Sequence, residues 1–323
     1  MAASHDALAG GGYLKPEGVT VSCAPQKPRL TIAIPSHNRA AYLDAQIAWA
    51  VRGIGDRWDE CELIVSDNAS TDLTVDVCKK WQAQLGERIK VFHHPRNLKL
   101  PGNMAFCVQQ AAGEYVWTVS DDDEMRPDAV SAGLRLLAAN REIALLHMNF
   151  RCVNTLDGQV TRQRFYAYSQ DRYTARAMPL VEECLLQSEA GIVFMSVNIL
   201  NRALAVESLS AWPDAAKNFA LPMYMAAYAA SRGPMYLLAE PICDAMMARP
   251  SWRDRDVMVL FKEVPEIYRQ LIKLGYNRQV MNQLIRQRLK FELVSFKALA
   301  KFMLKFPGDF LRTIPYYVSA IRD

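Results

Sequence analysis

The seven cysteines of this 323-residue chain, at positions 23, 61, 78, 107, 152, 184 and 243, include no CxxC pair and no Cys/His spacing suited to zinc. Odd in number and scattered, they argue against a disulfide framework and for a reducing cytoplasm. Several stand within strand or helix patterns, where a thiol behaves as a small buried hydrophobe. Also missing is a run of ~18 charge-free apolar residues, the least that crosses a bilayer. The nearest stretch, Phe219 to Ala230, is broken by Pro222 and stops at Arg232, so no transmembrane helix is expected. Residues 1–28 lack the charged start and apolar core of a secretory signal, and Gly10-Gly11-Gly12, Pro16, Pro25 and Pro28 make them a flexible leader. No internal repeat or low-complexity block occurs. No excess of one charge dominates either: the net charge is +4, with 51% hydrophobic and 22% charged residues, as in a soluble globular protein.

A glycine-rich phosphate turn is absent where a dinucleotide-binding chain would have one. The first strand-like run, Leu30 to Ile34, leads instead into Pro35-Ser36-His37-Asn38-Arg39, which disfavours a nicotinamide-dependent oxidoreductase. Strand-like runs at 30–35, 61–66, 89–93 and 115–120 alternate with helical patterns at 41–52, 72–85, 103–112 and 127–139. That alternation predicts an α/β fold, a three-layer α/β/α sandwich on a mainly parallel, Rossmann-like sheet. A strand over Ile143 to Phe150, a hairpin turn at Asp157-Gly158, a helix near 178–188 and a strand-like run from Ile192 to Leu200 come next. A helix near Pro222 to Ser231, a short strand near 235–239 and helical character from Val264 onward complete the pattern.

Three adjacent aspartates follow the fourth strand, in Val119-Ser120-Asp121-Asp122-Asp123-Glu124. Carboxylates this close repel one another unless a cation sits among them. In an open α/β sheet, ligands bind beyond the carboxyl ends of the strands, where this cluster stands. The competing reading is a solvated acidic turn that caps the next helix, because Asp123, Pro127 and Asp128 suit a helix start. Their place after the fourth strand rather than the first disfavours an aspartate-nucleophile phosphotransferase. Two earlier strands also end in polar residues, at Pro35 to Arg39 and at Ser66-Asp67-Asn68-Ala69-Ser70-Thr71-Asp72.

The segments LTIAIPSHNR at 30–39, CELIVSDNASTDLT at 61–74, HHPRNLKLPGN at 93–103 and GEYVWTVSDDDE at 113–124 resemble family 2 glycosyltransferases of the GT-A fold. The resemblance is to bacterial enzymes that build O-antigen and other surface polysaccharides, of the abequosyltransferase kind, and is specific over about residues 29–150. It implies a GT-A catalytic domain over 29–255, with a nucleotide-sugar-binding half at 29–150 and an acceptor half at 151–255. Residues 256–323 would be a helical, basic C-terminal region. It also implies that Pro35, Ser36, Asn38, Arg39, Asp67, Asn97, Asn103, Asp121 and Asp122 bind the nucleotide-sugar, with Asp67 on the base edge. Asp121 and Asp123 match the DxD motif and would hold Mg²⁺ or Mn²⁺, hard ions suited to oxygen ligands that neutralise the departing diphosphate. Lys99 stands where many relatives have glycine. His37 reads as a hydrogen-bonding loop residue and Trp117 as core.

Inverting transfer needs a base for the acceptor hydroxyl. Asp214 in Trp212-Pro213-Asp214 lies ahead of the helix where relatives carry an acidic pair that is not preserved here, with Glu207 as the alternative and Glu189 behind it; a helix or turn cap is the other reading of Asp214. Arg249 and Arg253, in a basic loop with Pro250 and Trp252, would close on the diphosphate or form a solvated surface. From Arg278 onward nine Lys and Arg face three acids, among apolar residues at helical spacing. Such a tail suits the anionic inner face of the cell membrane, where a lipid-linked saccharide acceptor would sit, or packs on the domain or another subunit. No motif for nucleic acid is present. The non-enzymatic alternative is a nucleotide-sugar-binding module without transfer chemistry.

Overall fold

A computed structural model describes residues 27–154, 157–246, 256–288 and 293–322. The expected leader, except its last two residues, and the loop bearing Arg249 and Arg253 lie outside them. Strands β1 (Leu30–Ser36) and β2 (Cys61–Asp67) are buried along their whole length, as near-continuous apolar runs in a parallel sheet covered on both faces must be. They pair in parallel with each other, with the edge strand β3 (Ile89–His93), and with β4 (Tyr115–Thr118). Helices α1 (Ala40–Ile54), α2 (Thr74–Leu85) and α3 (Lys99–Gln110) make the crossovers. Gly55 and Gly86 end the first two with positive φ.

The sheet continues through a short β5 (Glu124–Met125), α4 (Ala129–Ala139), β6 (Leu145–Val153), β7 (Val160–Arg162) and β8 (Arg172–Thr174). Then come α5 (Ala177–Val193), β9 (Asn198–Asn201), α6 (Arg202–Ala211), α7 (Leu221–Arg232) and β10 (Met235–Met246). The order is β3-β2-β1-β4-β9-β6-β10-β5, with β7 paired to β6 and β8 to β10. The expected α/β sandwich is present, and Asp157-Gly158 does turn the β6–β7 hairpin, with Gly158 at φ +71°.

Four elements differ from the sequence expectation. The run from Ile192 to Leu200 is not one strand, because α5 runs on to Val193 past a non-helical Ser188 and β9 starts only at Asn198. Gly191 explains the tight path: a Cβ there would lie 2.4 Å from the Tyr166 ring. Helix α6, β5 and β8 were not expected at all. The C-terminal region forms α8 (Asp256–Met258), a π-helical turn (Val259–Glu263), α9 (Val264–Lys273), α10 (Arg278–Gln287), α11 (Leu293–Lys305) and α12 (Pro307–Arg322). It packs on the α/β unit through Tyr268 to Glu189 at 2.7 Å, Tyr276 to the Ala227 carbonyl at 2.7 Å and an Arg288–Glu189 ion pair. Glu189, one of the three proposed bases, is thereby a structural anchor.

Register brings the polar strand ends together. Ser36 lies opposite Asp67, and Asp67 opposite His93. At the other end of β1, Glu62 accepts from Thr31 Oγ1 at 2.6 Å, Lys90 Nζ at 2.6 Å and the Ala112 N–H at 2.7 Å. Next to it Gly113 lets β4 approach: a Cβ would meet Thr31 N and the Tyr115 carbonyl at 2.7 Å. Those are backbone atoms that cannot rotate aside. Gly113→Ala is therefore expected to destabilise the fold by ~1–3 kcal/mol, whereas Gly308→Ala, with nothing within 4 Å, should not; equal thermal midpoints for the two variants would contradict this packing.

Candidate functional site

A crevice of about 340 Å³ opens at the carboxyl ends of β1, β2 and β4, where an open parallel sheet receives its ligands. Its wall comprises Pro35, Ser36, His37 and Arg39 after β1, Asn68 after β2, and Asn97, Lys99, Leu100 and Asn103 around the start of α3. Ser120, Asp121 and Asp122 close it from β4, and Phe219 from the residues before α7.

The acids are held individually. Ser36 Oγ donates to Asp121 at 2.6 Å, and the Arg39 guanidinium lies 3.5 Å from Asp121 and in direct contact with Asp122, which also receives the Ser120 hydroxyl. Asp123 turns the other way: its carboxylate accepts from Ser196 Oγ, which itself accepts the Ser120 N–H at 2.8 Å. The chain reverses at Asp121-Asp122, so the two-residue alternation of a strand no longer holds and Asp122, not Asp123, shares the wall with Asp121. As placed, Asp121 and Asp122 border the crevice while Asp123 lies behind them on Ser196.

Burial pushes the Asp121 carboxyl up to about 6, against the Ser36 hydrogen bond and the Arg39 charge and with repulsion from Asp122. Asp123 is pushed up to about 7 by burial, against its Ser196 bond and with repulsion from Asp122 and Asp121. The chemistry of Asp121 and Asp122 fits a hard divalent cation, since both offer carboxylate oxygens on the crevice wall. Among the described residues no group of three or more His, Cys, Asp or Glu gathers for an ion.

Asp67 is 2% exposed and does not line the crevice. Its oxygens accept from the Ser70 N–H at 3.1 Å and lie 3.0 Å from His93 Nδ1, so it sits beneath the β2–α2 loop whose Asn68 reaches the wall. Asn38, exposed, staples two loops by accepting the Thr71 N–H at 2.7 Å. Asn97 and Asn103 line the crevice. Asn103 Nδ2 donates to the Ser66 carbonyl at 2.9 Å, and Asn97 lies 2.9 Å from His37 Nε2.

The proposed bases are elsewhere. Asp214 is exposed and paired with Lys217 at 2.8 Å, which holds its carboxyl below the usual range. Glu207 accepts from the Tyr228 hydroxyl at 2.7 Å on the α6–α7 face. Neither borders the crevice, nor does Glu189. The sequence did not single out Asn68, Leu100, Ser120 or Phe219 as wall residues; His37, read as a hydrogen-bonding loop residue, lies on the wall with Nε2 2.9 Å from Asn97 and Nδ1 buried without a partner. Lys99 has φ +65°, the region that favours glycine, and its exposed side chain stands on the crevice wall.

A second cleft, of about 520 Å³, lies beyond the acidic turn, lined by Arg126, Arg151, Gln163, Arg164, Glu240, Pro241, Cys243 and Asp244. Two of its residues, Cys243 and Asp244 of β10, pair with β5, the strand directly after Asp123. Arg151 and Asp244 form a bidentate pair.

The raised carboxyls give a pH signature. A group whose folded pKa exceeds its ordinary value of 3.8 stabilises the fold fully below that value and loses the contribution as pH rises through the folded one. In metal-free protein, the stability of wild type relative to Asp123→Asn should therefore fall between about pH 4 and 7, with a limiting slope of ~1.4 kcal/mol per pH. A difference in unfolding free energy that does not vary with pH would refute the raised pKa.

Residues 31–187 match the family described as Glycosyl transferase family 2. Among curated proteins, the chain is 30% identical to a GalNAc(5)-diNAcBac-PP-undecaprenol beta-1,3-glucosyltransferase of Campylobacter jejuni, over 42% of each chain. It is 27% identical to the abequosyltransferase RfbV of Salmonella typhimurium, over 36% of this chain and 34% of that one. These matches span less than half the length of the curated relatives. Among solved structures, S. aureus TarS 1-349 in complex with UDP-GlcNAc has a TM-score of 0.62 at 16% identity, covering 90% of this chain and 79% of that one. The mannosyltransferase PcManGT of Pyrobaculum calidifontis, in complex with GDP-Man and Mn2+, has a TM-score of 0.54 at 15% identity over 95% and 90%. Both share the fold of this chain. Residues 31–187, which carry most of the strand-end crevice and the acidic turn, are thus similar to glycosyl transferase family 2.

Proposed function

We propose that the chain is a glycosyltransferase that moves a sugar, with inversion, from a nucleotide-sugar in the strand-end crevice to a glycan or lipid-linked saccharide in surface polysaccharide synthesis. The observation that carries this reading is the convergence of Ser36, Arg39, Asn97, Asn103, Asp121 and Asp122 on one crevice from three strand ends. The names of the relatives support it: one acts on an undecaprenol-linked saccharide, and two structural neighbours hold nucleotide-sugars.

In this reading Asp121 and Asp123, with Asp122 beside Asp121 on the wall, would hold Mg²⁺ or Mn²⁺, which when bound would supply charge neutralisation for the departing diphosphate. Arg39 orients the carboxylates of Asp121 and Asp122, Ser36 fixes Asp121, and Lys99 offers its ammonium to the phosphates. Asp67 supports the base pocket through the Ser70 turn. Arg249 and Arg253 remain proposed phosphate contacts of the late loop. The second cleft receives the acceptor, whose hydroxyls meet paired guanidiniums and carboxylates suited to bidentate hydrogen bonding. The acceptor oxygen attacks the anomeric carbon, the bond to the diphosphate breaks with its electrons leaving on oxygen, and the hydroxyl proton goes to a base. Asp214 and Glu207 are proposed for that role from sequence only, since neither borders the crevice.

One observation favours a second reading, a nucleotide-sugar-binding module without transfer. Helix α7 begins Leu221-Pro222, with no acid at its start. Turnover with a panel of nucleotide-sugars and acceptors separates the two: binding with neither transfer nor donor hydrolysis would establish the module.

Asp122→Asn should reduce metal-supported transfer ~10²-fold or more, since an oriented charge in a water-poor site is worth several kcal/mol to a transition state. Unchanged rates across Mg²⁺ and Mn²⁺ titrations would remove Asp122 from the metal site. Lys99→Gly should raise the donor dissociation constant several-fold while leaving the thermal midpoint unchanged or higher, because glycine relieves a left-handed residue that costs ~1–2 kcal/mol. Lower stability with unaltered donor affinity would assign Lys99 to structure alone.

A further inference from the structure

The last two helices have two apolar faces, and only one is used by the fold. On α12, Thr313, Tyr317 and Ala320 are buried, with the Tyr317 hydroxyl on the Phe261 carbonyl at 2.9 Å. On α11, Phe302 is fully buried and stacks with Phe261 at 6.0 Å between ring centroids. This inner face matches the expectation that the tail packs on the domain. The outer face of α12 carries a second stripe, Leu311, Ile314, Val318 and Ile321, at steps of three, four and three residues. That is one side of a helix. Leu311 and Ile321 are 63% and 62% exposed, and Leu304 of α11 is 78% exposed with Met303 beside it. The other exposed large apolar side chains among the described residues, Tyr42, Leu73, Val160, Tyr173 and Leu186, are scattered along the chain.

Charge says what covers the stripe. Lys297, Lys301, Lys305, Arg312 and Arg322 are all exposed on these two helices. Lys301 shares Asp256 at 2.9 Å. The one acid described between 297 and 322, Asp309, is engaged by Lys262 at 2.9 Å. A second copy of the chain would bring the same cations against these cations. An anionic lipid surface neutralises them and takes up the apolar stripe, as it does for helices lying in the interface plane. No described helix is long and apolar enough to cross a membrane, so docking in the plane is the geometry left to this face.

We propose that the outer face of α11 and α12 docks this protein on an anionic phospholipid bilayer, with Leu304, Leu311, Ile314, Val318 and Ile321 in the headgroup layer and the cations on lipid phosphates. Docking requires neither donor nor transfer, so it stands or falls apart from the proposed activity.

The test is sedimentation of the full chain with vesicles of phosphatidylglycerol and phosphatidylcholine in equal parts, or of phosphatidylcholine alone, at low and high salt. Wild type should pellet with the anionic vesicles at low salt and lose at least tenfold in partitioning at high salt, since each cation contributes ~1 kcal/mol when unscreened. Ile314→Ser with Val318→Ser should lose a comparable factor, as should Lys297→Gln with Lys305→Gln and Arg312→Gln; these side chains point outward, and thermal melting checks that each variant is folded. Wild type that stays in solution at low salt, or folded variants that pellet as it does, would overturn the proposal. So would a dimer in light scattering that the serine variant converts to monomer, which would give the stripe to a second copy. If a variant does not fold, the salt and lipid dependence of wild type still decides.

Discussion

Holding three carboxylates in a row at a buried strand end is the constraint around which this structure is arranged. Asp121 and Asp123 are 6% and 7% exposed, and burying charge is costly unless it is paired and hydrogen-bonded. The solution is divided among elements distant in sequence. Arg39 leaves the first helix to sit between Asp121 and Asp122, Ser36 at the end of β1 supplies one hydroxyl, and Ser196, from the short turn before β9, supplies another. Ser196 also fixes the turn backbone at the Ser120 N–H. The acidic turn is thus set by both halves of the sheet. Even so the two buried carboxyls keep raised pKa values, a local instability of the kind that accompanies functional sites and that a bound cation would remove.

The loops opposite those acids are also strained and rigid. The three non-glycine residues with positive φ among the described residues, Asn38, Ala69 and Lys99, each lie in one of the loops after β1, β2 and β3. Such backbones persist only where the surroundings over-determine them. Here side-chain amides do so: Asn38 accepts the Thr71 N–H, Asn68 the Leu98 N–H and Asn97 the Lys99 N–H, all at 2.7 Å. Each loop therefore has its conformation recorded by an asparagine, two of them by one from a neighbouring loop. A crevice fixed this way is preorganised, which is what positioning a substrate requires.

The sequence revealed most of the first half of the sheet because its strands are apolar and buried on both faces, so composition and periodicity agree. The path of the acidic turn was less legible. Asp121 and Asp123 look paired at a spacing of two, yet β4 has ended by Thr118 and the turn puts Asp122 on the crevice wall with Asp121; turn geometry is not written in strand periodicity. Helix α6 went unread because its buried side is Ala205, Ser208 and Leu209, too small and polar to mark an apolar stripe. The two faces of α12 are indistinguishable in sequence, since residues spaced for burial and residues spaced for an interface share one 3.6-residue period.

The same C-terminal helices that expose the outer stripe are joined to the crevice wall by buried contacts. Tyr317 of α12 bonds to the carbonyl of Phe261 in the π-helical turn. Two residues on, Glu263 is 4% exposed, and its carboxylate accepts the Phe219 N–H at 2.7 Å while its carbonyl accepts from Asn218 Nδ2 at 2.9 Å. Asn218 in turn accepts the Ala220 N–H at 2.9 Å, so the amino end of α7 is held by a carboxylate from outside the helix, where negative charge is favoured by the helix dipole. Phe219 then presents its side to the crevice. The tail is accordingly part of the packed unit that shapes the crevice, and whatever seats the outer face of α12 bears on the far side of the wall formed by Phe219.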